Sequence, residues 1–444
     1  MTAVCFYFQV HQPFRLRSDF DFFSIGTDRP FEDEEKNREI LRKVSAKCYL
    51  PANTLMLELI RKHQGRFRVA YSISGVALEQ FALYEPQVIE SFRALAKTGC
   101  VEFLAETYYH SLAFLYSEEE FLRQVKMHRE KMRDLIGVSP KVLRNTELVY
   151  NDRLGQLAEE MGFTAVLAEG ADRILDWRSP NHVYRPLGTK NIALLLKNYR
   201  LSDDIAFRFS NREWSGWPLT SDKFANWLQS ATRNDQGSVV NLFMDYETFG
   251  EHQWESTGIF AFLRHLPEEF LRHPGNRFMT PSEVAKSFPP VAELSMPGLV
   301  SWADSERDVS AWLGNHMQQA AAATVYGLEK AVVATRDAEL MHAWRKLQTS
   351  DHFYYMSTKY SQDGDVHKYF SPYESPYDGF IHYANAINHL IWKCNVVRER
   401  QRLARRTARI AKQSDKAQEM PRQLVAGPSM STSAEMRPLT LVAK

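Results

Sequence analysis

Seven short apolar runs, recurring along the first 250 residues, limit what this 444-residue chain can fold into. They span 4–10, 67–73, 101–105, 142–148, 165–168, 192–196 and 239–244. Each is apolar on both alternations, as expected of parallel strands buried on both faces. Helical stretches lie between most of them, with readable start signals. Ser117 with Glu120 forms a capping box ahead of a helix that Gly137 closes, and Thr280-Pro281-Ser282-Glu283 opens a second. Strand alternating with helix about seven times predicts an α/β fold, a seven-stranded (β/α) barrel. Beyond Pro297 the strands stop, and 304–330, 337–360 and 379–412 read as helix. The expected organisation is a barrel with insertions over 1–297, a helical domain over 298–412 completing the cleft, and a disordered tail over 413–444.

Charge and cysteine usage narrow the function. With 55 Lys+Arg against 54 Asp+Glu, nothing suggests a nucleic-acid binder. The imbalance is local: nine bases against three acids in 398–424, against a net −6 over the first 397 residues. A solvated helix end is the expected reading of that basic stretch. No run approaches a membrane span, and the N-terminus enters a strand without a basic leader, so neither a span nor a secretory signal is expected. Cys5, Cys48, Cys100 and Cys394 are too scattered for a disulfide scaffold or a CxxC motif; reduced, buried thiols and a cytoplasmic setting follow.

Polar residues gather where the runs end: His11-Gln12-Pro13, Ser74-Gly75 with Glu79 beyond, Glu102 and Glu106, Asn145-Thr146-Glu147, Glu169, and Asp245-Tyr246-Glu247. The C-terminal face of an α/β barrel is where active sites are built, and six of seven runs contribute. Glu147 is flanked by Asn145, Tyr150 and Asn151 as hydrogen-bond donors; the competing reading is a salt bridge to Arg144 or Arg153. Asp245 and Glu247 fall on one face of a strand with Tyr246 opposite, which favours protonation of one of them. Paired carboxylates point to glycoside hydrolysis, with Trp254, Trp302, Trp312, Tyr108 and Tyr109 available to stack on sugars. No HExxH, GxGxxG, Walker or GxSxG motif occurs, so no metal and no cofactor is expected, and His11 reads as a hydrogen-bonding group.

Five segments in order, VHQPF (10–14), GCVEFLAETYYHSL (99–112), RNTELVYND (144–152), MDYETFGEHQW (244–254) and SWADSERDVSAWLGNHMQ (301–318), resemble the conserved regions of glycoside hydrolase family 57. The family includes α-amylases, 4-α-glucanotransferases and branching enzymes, and the wording of the last three segments is similar to the α-amylase group. The resemblance implies a retaining enzyme acting on α-1,4-glucans without a metal. It implies Glu147 as nucleophile and Asp245 as general acid/base. His11, Glu79, His110, His252, Trp254, Trp302, Asp304 and Asp308 would then surround the bound sugar.

The expected reaction is a double displacement through a glucosyl-enzyme, with water or a second glucan as acceptor. Transfer, branching or hydrolysis all fit one site. A loop over 200–235, with Trp214, Trp217 and Trp227, is a candidate cover. The rivals are a catalytically silent glucan-binding protein and a metal-dependent carbohydrate deacetylase.

Overall fold

The computed structural model describes residues 2–234, 236–359 and 371–419. Its strands are β1 (Ala3–Val10), β2 (Val69–Ile73), β3 (Val101–Phe103), β4 (Val142–Arg144), β5 (Ala165–Glu169), β6 (Val183–Pro186), β7 (Ala193–Lys197), β8 (Val239–Asp245), β9 (Arg277–Phe278) and β10 (Glu293–Leu294). Seven form a parallel ring. β1 pairs with β2 and with β8, β2 with β3, β4 with β5, and β5 with β7. Between β3 and β4 the ring closes on Ala105, whose N–H reaches Val142 O at 2.9 Å and whose carbonyl accepts from Arg144 N at 2.8 Å. Between β7 and β8 it closes through Asn198 N to Asn241 O and the Asn241 side-chain amide to Leu196 O, both 2.9 Å. All seven apolar runs supply ring strands.

Alternation along each strand divides two cores. Val4, Phe6, Phe8, Val10, Val69, Tyr71, Ile73, Val240, Leu242 and Met244 pack outward on the helices. Ala3, Cys5, Tyr7, Ala70, Val142, Ala165, Leu167, Ala193, Leu195, Val239 and Phe243 fill the interior. A double-sided demand of this kind produces unbroken apolar runs. The four cysteines are free thiols and buried.

Both predicted caps form: Ser117 Oγ accepts from Glu120 N, Gly137 ends that helix at φ +83°, and Thr280 and Glu283 make a full capping box. From His316 the chain is largely helical, with His316–Gly327, Glu329–Thr335, Ala338–Lys346, Ser350–Tyr354 and Pro376–Glu419. These helices meet the barrel through Ser350 N to His110 O and Thr349 Oγ1 to Tyr109 O, each 2.9 Å, and through a buried Arg345–Glu120 pair at 2.7 Å.

Three expectations need correction. Residues 304–309 are loop rather than the start of the helix expected over 304–330, with Asp304 and Arg307 at positive φ. The 200–235 segment is mostly helix (Tyr199–Ala206 and Ser221–Asn234), and Trp214 and Trp227 pack on the core instead of covering the site. The last helix runs on to Glu419, past the boundary at 413; residues 420–444 lie outside the described ones. Met1–Cys394 is one compact unit that holds both the barrel and the helices packed on it. In the second unit, Asn395–Asp415 is helix with mostly exposed side chains.

Candidate active site

The parity that sends Tyr7, Leu167, Leu195 and Phe243 inward sends Gln9, Glu169, Lys197 and Asp245 inward two residues later, at the C-terminal ends of their strands. There the chain encloses a cavity of about 440 Å³ bordered by His11, Glu147, Asp245, Glu247, His252 and Trp302.

Glu147 does not sit in a strand. β4 stops at Arg144, and Thr146–Leu148 is a tight turn with Glu147 at φ 57°, ψ 24° and Leu148 at φ 52°. Left-handed backbone at two consecutive non-glycine residues costs on the order of 1–2 kcal/mol each and persists where the surroundings overdetermine it. The Asn145 amide donates to Val149 O at 2.9 Å, the Thr146 and Thr107 hydroxyls bond at 2.7 Å, and Trp302 N donates to Glu147 O at 3.2 Å. The carboxylate accepts from His110 Nε2 at 2.9 Å and from Trp302 Nε1 at 2.6 Å. These donors replace the expected Tyr150 and Asn151; Asn151 caps the next helix. Arg153 pairs with Glu118 and Glu160, not with Glu147.

Burial pushes the Glu147 carboxyl up, but the His110 hydrogen bond and charge, Arg144 and the indole N–H outweigh it, and the net shift is downward. His110 is itself pushed down by burial. Its hydrogen bonds to Glu106 (2.8 Å) and Glu147 outweigh that and raise it to about 9, so both ring nitrogens donate. Asp245 moves the other way: burial and the Glu147 charge raise it to about 7. Glu247, buried beside Asp245, rises to about 8 while accepting a hydrogen bond from Tyr49. As predicted, Tyr246 turns away into the outer core.

His11 is lowered by burial and by the His110 ring stacked 3.9 Å away, so it is neutral. Its Nε2 donates to Asp351 at 2.9 Å, since a carboxylate only accepts, and Nδ1 accepts from Ser74 Oγ at 2.7 Å. His252, lowered to about 4 by burial, lines the cavity, as does Asp304, whose carboxylate meets Lys359 Nζ at 2.8 Å. His110 lies one layer beneath, holding Glu147.

Three candidates fall elsewhere. Glu79 accepts from Tyr108 OH at 2.7 Å and stands 3.5 Å from His342, away from the cavity. Asp308 accepts from Ser310 N at 2.8 Å and organises its own loop. Trp254 is 61% exposed and does not line the cavity. Sequence reasoning missed Lys197, Asp203 and Arg307, which line the cavity with Glu169 behind them. Lys197 and Arg307 lie 3.2 and 3.1 Å from Asp203 and 3.7 and 3.4 Å from Glu169. Strand parity was the available signal for Lys197. Among the described residues no group of three or more His, Cys, Asp or Glu is arranged to hold a metal ion, and no helix is long and apolar enough to cross a membrane.

The sequence model described as glycosyl hydrolase family 57 matches residues 5–297. A "Putative alpha-amylase" of Methanocaldococcus jannaschii is 44% identical over 396 residues, covering 86% of this chain and 83% of that protein. Among solved structures, a family 57 branching enzyme of Thermococcus kodakaraensis superposes with a TM-score of 0.60 at 15% identity, covering 83% of this chain and 88% of the other. The 4-alpha-glucanotransferase of Thermococcus litoralis gives 0.58 at 17% identity, with 79% of this chain matched to 56% of that longer one.

Proposed function

The chain belongs to glycosyl hydrolase family 57, and from that premise we propose that it cleaves α-1,4-glucosidic bonds by a retaining double displacement. The observation that carries this reading is two carboxyls lining one cavity in opposed surroundings, Glu147 bonded by His110 and Trp302 and Asp245 buried near the Glu147 charge, which hold the first down and raise the second to about 7. A nucleophile must be ionised and a general acid must carry its proton, and environments that push two carboxyls apart divide those roles.

In the first step Glu147 attacks the anomeric carbon while Asp245 protonates the departing glycosidic oxygen. The glycosyl ester that forms no longer carries Glu147's negative charge. Asp245, which gave up its proton in that step, loses one of the two influences that raised it, stays ionised, and deprotonates the acceptor hydroxyl as the ester breaks. His110 and Trp302 supply the donors that receive the returning carboxylate. An α-glucan substrate is supported by the names of the relatives, an amylase, a branching enzyme and a glucanotransferase.

Purified protein with maltoheptaose, beside Glu147→Gln, tests the reading. Cleavage products retaining the α-anomer, absent from the variant, are expected. Shorter products alone indicate water as acceptor, whereas longer products beside them indicate a second glucan. Inverted products, full activity of Glu147→Gln, or no turnover of maltoheptaose or longer α-glucans would overturn it.

A further inference from the structure

Arg144, the last residue of β4, is wholly buried, and among the described residues none of its three guanidinium nitrogens has a hydrogen-bond partner. A cation stripped of water needs another source of compensation. Its Cζ lies 4.8 Å from the Trp302 ring centroid and 6.0 Å from that of Tyr7. A second cation, Lys197 Nζ, lies 5.4 Å from the same indole. That indole donates through Nε1 to Glu147 Oε2 at 2.6 Å, at the short end even for a bond to a charged acceptor. Backbone contacts fix the ring: Trp302 N bonds Glu147 O at 3.2 Å, and Arg307 donates to Trp302 O at 2.7 Å.

Cations over an aromatic face draw on its π density, and in a desolvated site such polarisation strengthens the hydrogen bond the ring makes at its edge. We propose that Arg144 and Lys197 act on the nucleophile through Trp302, turning its indole N–H into a strong, fixed donor to Glu147. Trp302 is then a catalytic donor to the reacting carboxylate rather than a sugar platform, and the two cations are positioning residues. The donor holds Glu147 in one rotamer for attack and stabilises its carboxylate when the glycosyl ester is cleaved. This deepens the reading of Glu147 as nucleophile and rests on it.

The test is a pair of double-mutant cycles on maltoheptaose turnover, Arg144→Met with Trp302→Phe and Lys197→Met with Trp302→Phe. Phenylalanine keeps a ring and removes the N–H. Trp302→Phe is expected to lower kcat on the order of 10- to 100-fold with KM changed less than about two-fold, the loss of one charge-assisted hydrogen bond. Each cation variant is expected to lower kcat by itself and to lower it clearly less once Trp302 is Phe, where Arg144 keeps only its direct charge effect on Glu147. The acid limb of the pH profile moves upward in Trp302→Phe, because a carboxylate without its donor protonates more readily. The other groups around Glu147 remain in place in that variant: His110 backed by Glu106, His11 backed by Asp351, Arg144, Lys197 and Asp245. Losses that multiply in the double variants, or a raised KM with kcat intact, would overturn the proposal. Should Arg144→Met melt below the assay temperature, the Lys197 cycle decides alone. Glu147→Gln run in parallel separates the two levels: its full activity removes the nucleophile itself, whereas multiplying losses beside an inactive Glu147→Gln remove only the coupling.

Discussion

Asp245 experiences two influences of the same sign, removal from water and the charge of Glu147, and together they raise its carboxyl to about 7 from an ordinary 3.8. A group arranged this way works against the fold when ionised. In the unfolded chain Asp245 ionises near 4, whereas in the folded protein it keeps its proton to about 7. Folding therefore binds a proton, and the stability tied to it is present below the unfolded value and lost as pH rises through the folded one. Asp245→Asn removes that liability together with the proton donor. We expect the variant to melt higher than the parent at pH 8, with the gap narrowing at pH 5, while turnover falls about 10²- to 10⁴-fold. The parent's activity should decline above pH 7 as Asp245 loses its proton. Melting curves at the two pH values check the linkage, and an equal gap at both would show that the Asp245 environment is not as described.

At the scale of elements, strand parity explains both what was legible and what was not. Glu102 shares the inward face of β3, level with Ala70 and short of the strand's C-terminal exit. There its carboxylate accepts from Ser282 N at 2.8 Å and from the Ser282 hydroxyl, capping the helix Pro281–Ser287 that closes the barrel floor. Position along the strand, not facing alone, separates a cap from a catalyst. Glu102→Ala should cost about 1–2 kcal/mol of stability, the worth of a lost cap and its hydrogen bonds, with kcat unchanged. A large loss of kcat in the fully folded variant would place Glu102 in the catalytic machinery. The seven ring strands were readable because burial on both faces leaves unbroken apolar runs. β6, β9 and β10, of two to four residues, left no such run. The stretch 304–309 was read as helix because its residues carry no Gly or Pro. Contacts hold it open instead, Arg307 to Trp302 O, Asp203 and Glu169, and Lys359 to Asp304.

The site as a whole draws on the helical region, which the sequence led one to expect beside the cleft, but no local pattern singled out Asp351. Asp351 lies 340 residues from His11 yet accepts its Nε2–H, so a helix from outside the barrel sets the tautomer of a residue on β1's exit. Burial pushes the Asp351 carboxyl up, and the hydrogen bond from His11 and the charge of His110 outweigh this and hold it well below the usual carboxylate range. The neighbouring backbone ties the same helix to the loop that carries His110, through Ser350 N to His110 O. Two supports of Glu147's surroundings, the His11–His110 stack and the loop beneath it, are thus braced from one short segment. Asp351→Asn keeps the shape of the side chain and removes its charge. The amide can still accept from His11 through its oxygen, but without the charge-assisted part, and kcat should fall about 10-fold, the equivalent of roughly 1.4 kcal/mol. The melting temperature separates bracing of the site from bracing of the fold. A variant that melts as the parent does but turns over slowly assigns Asp351 to the site. One that melts early and keeps its kcat below that temperature assigns it to the interface between barrel and helices alone.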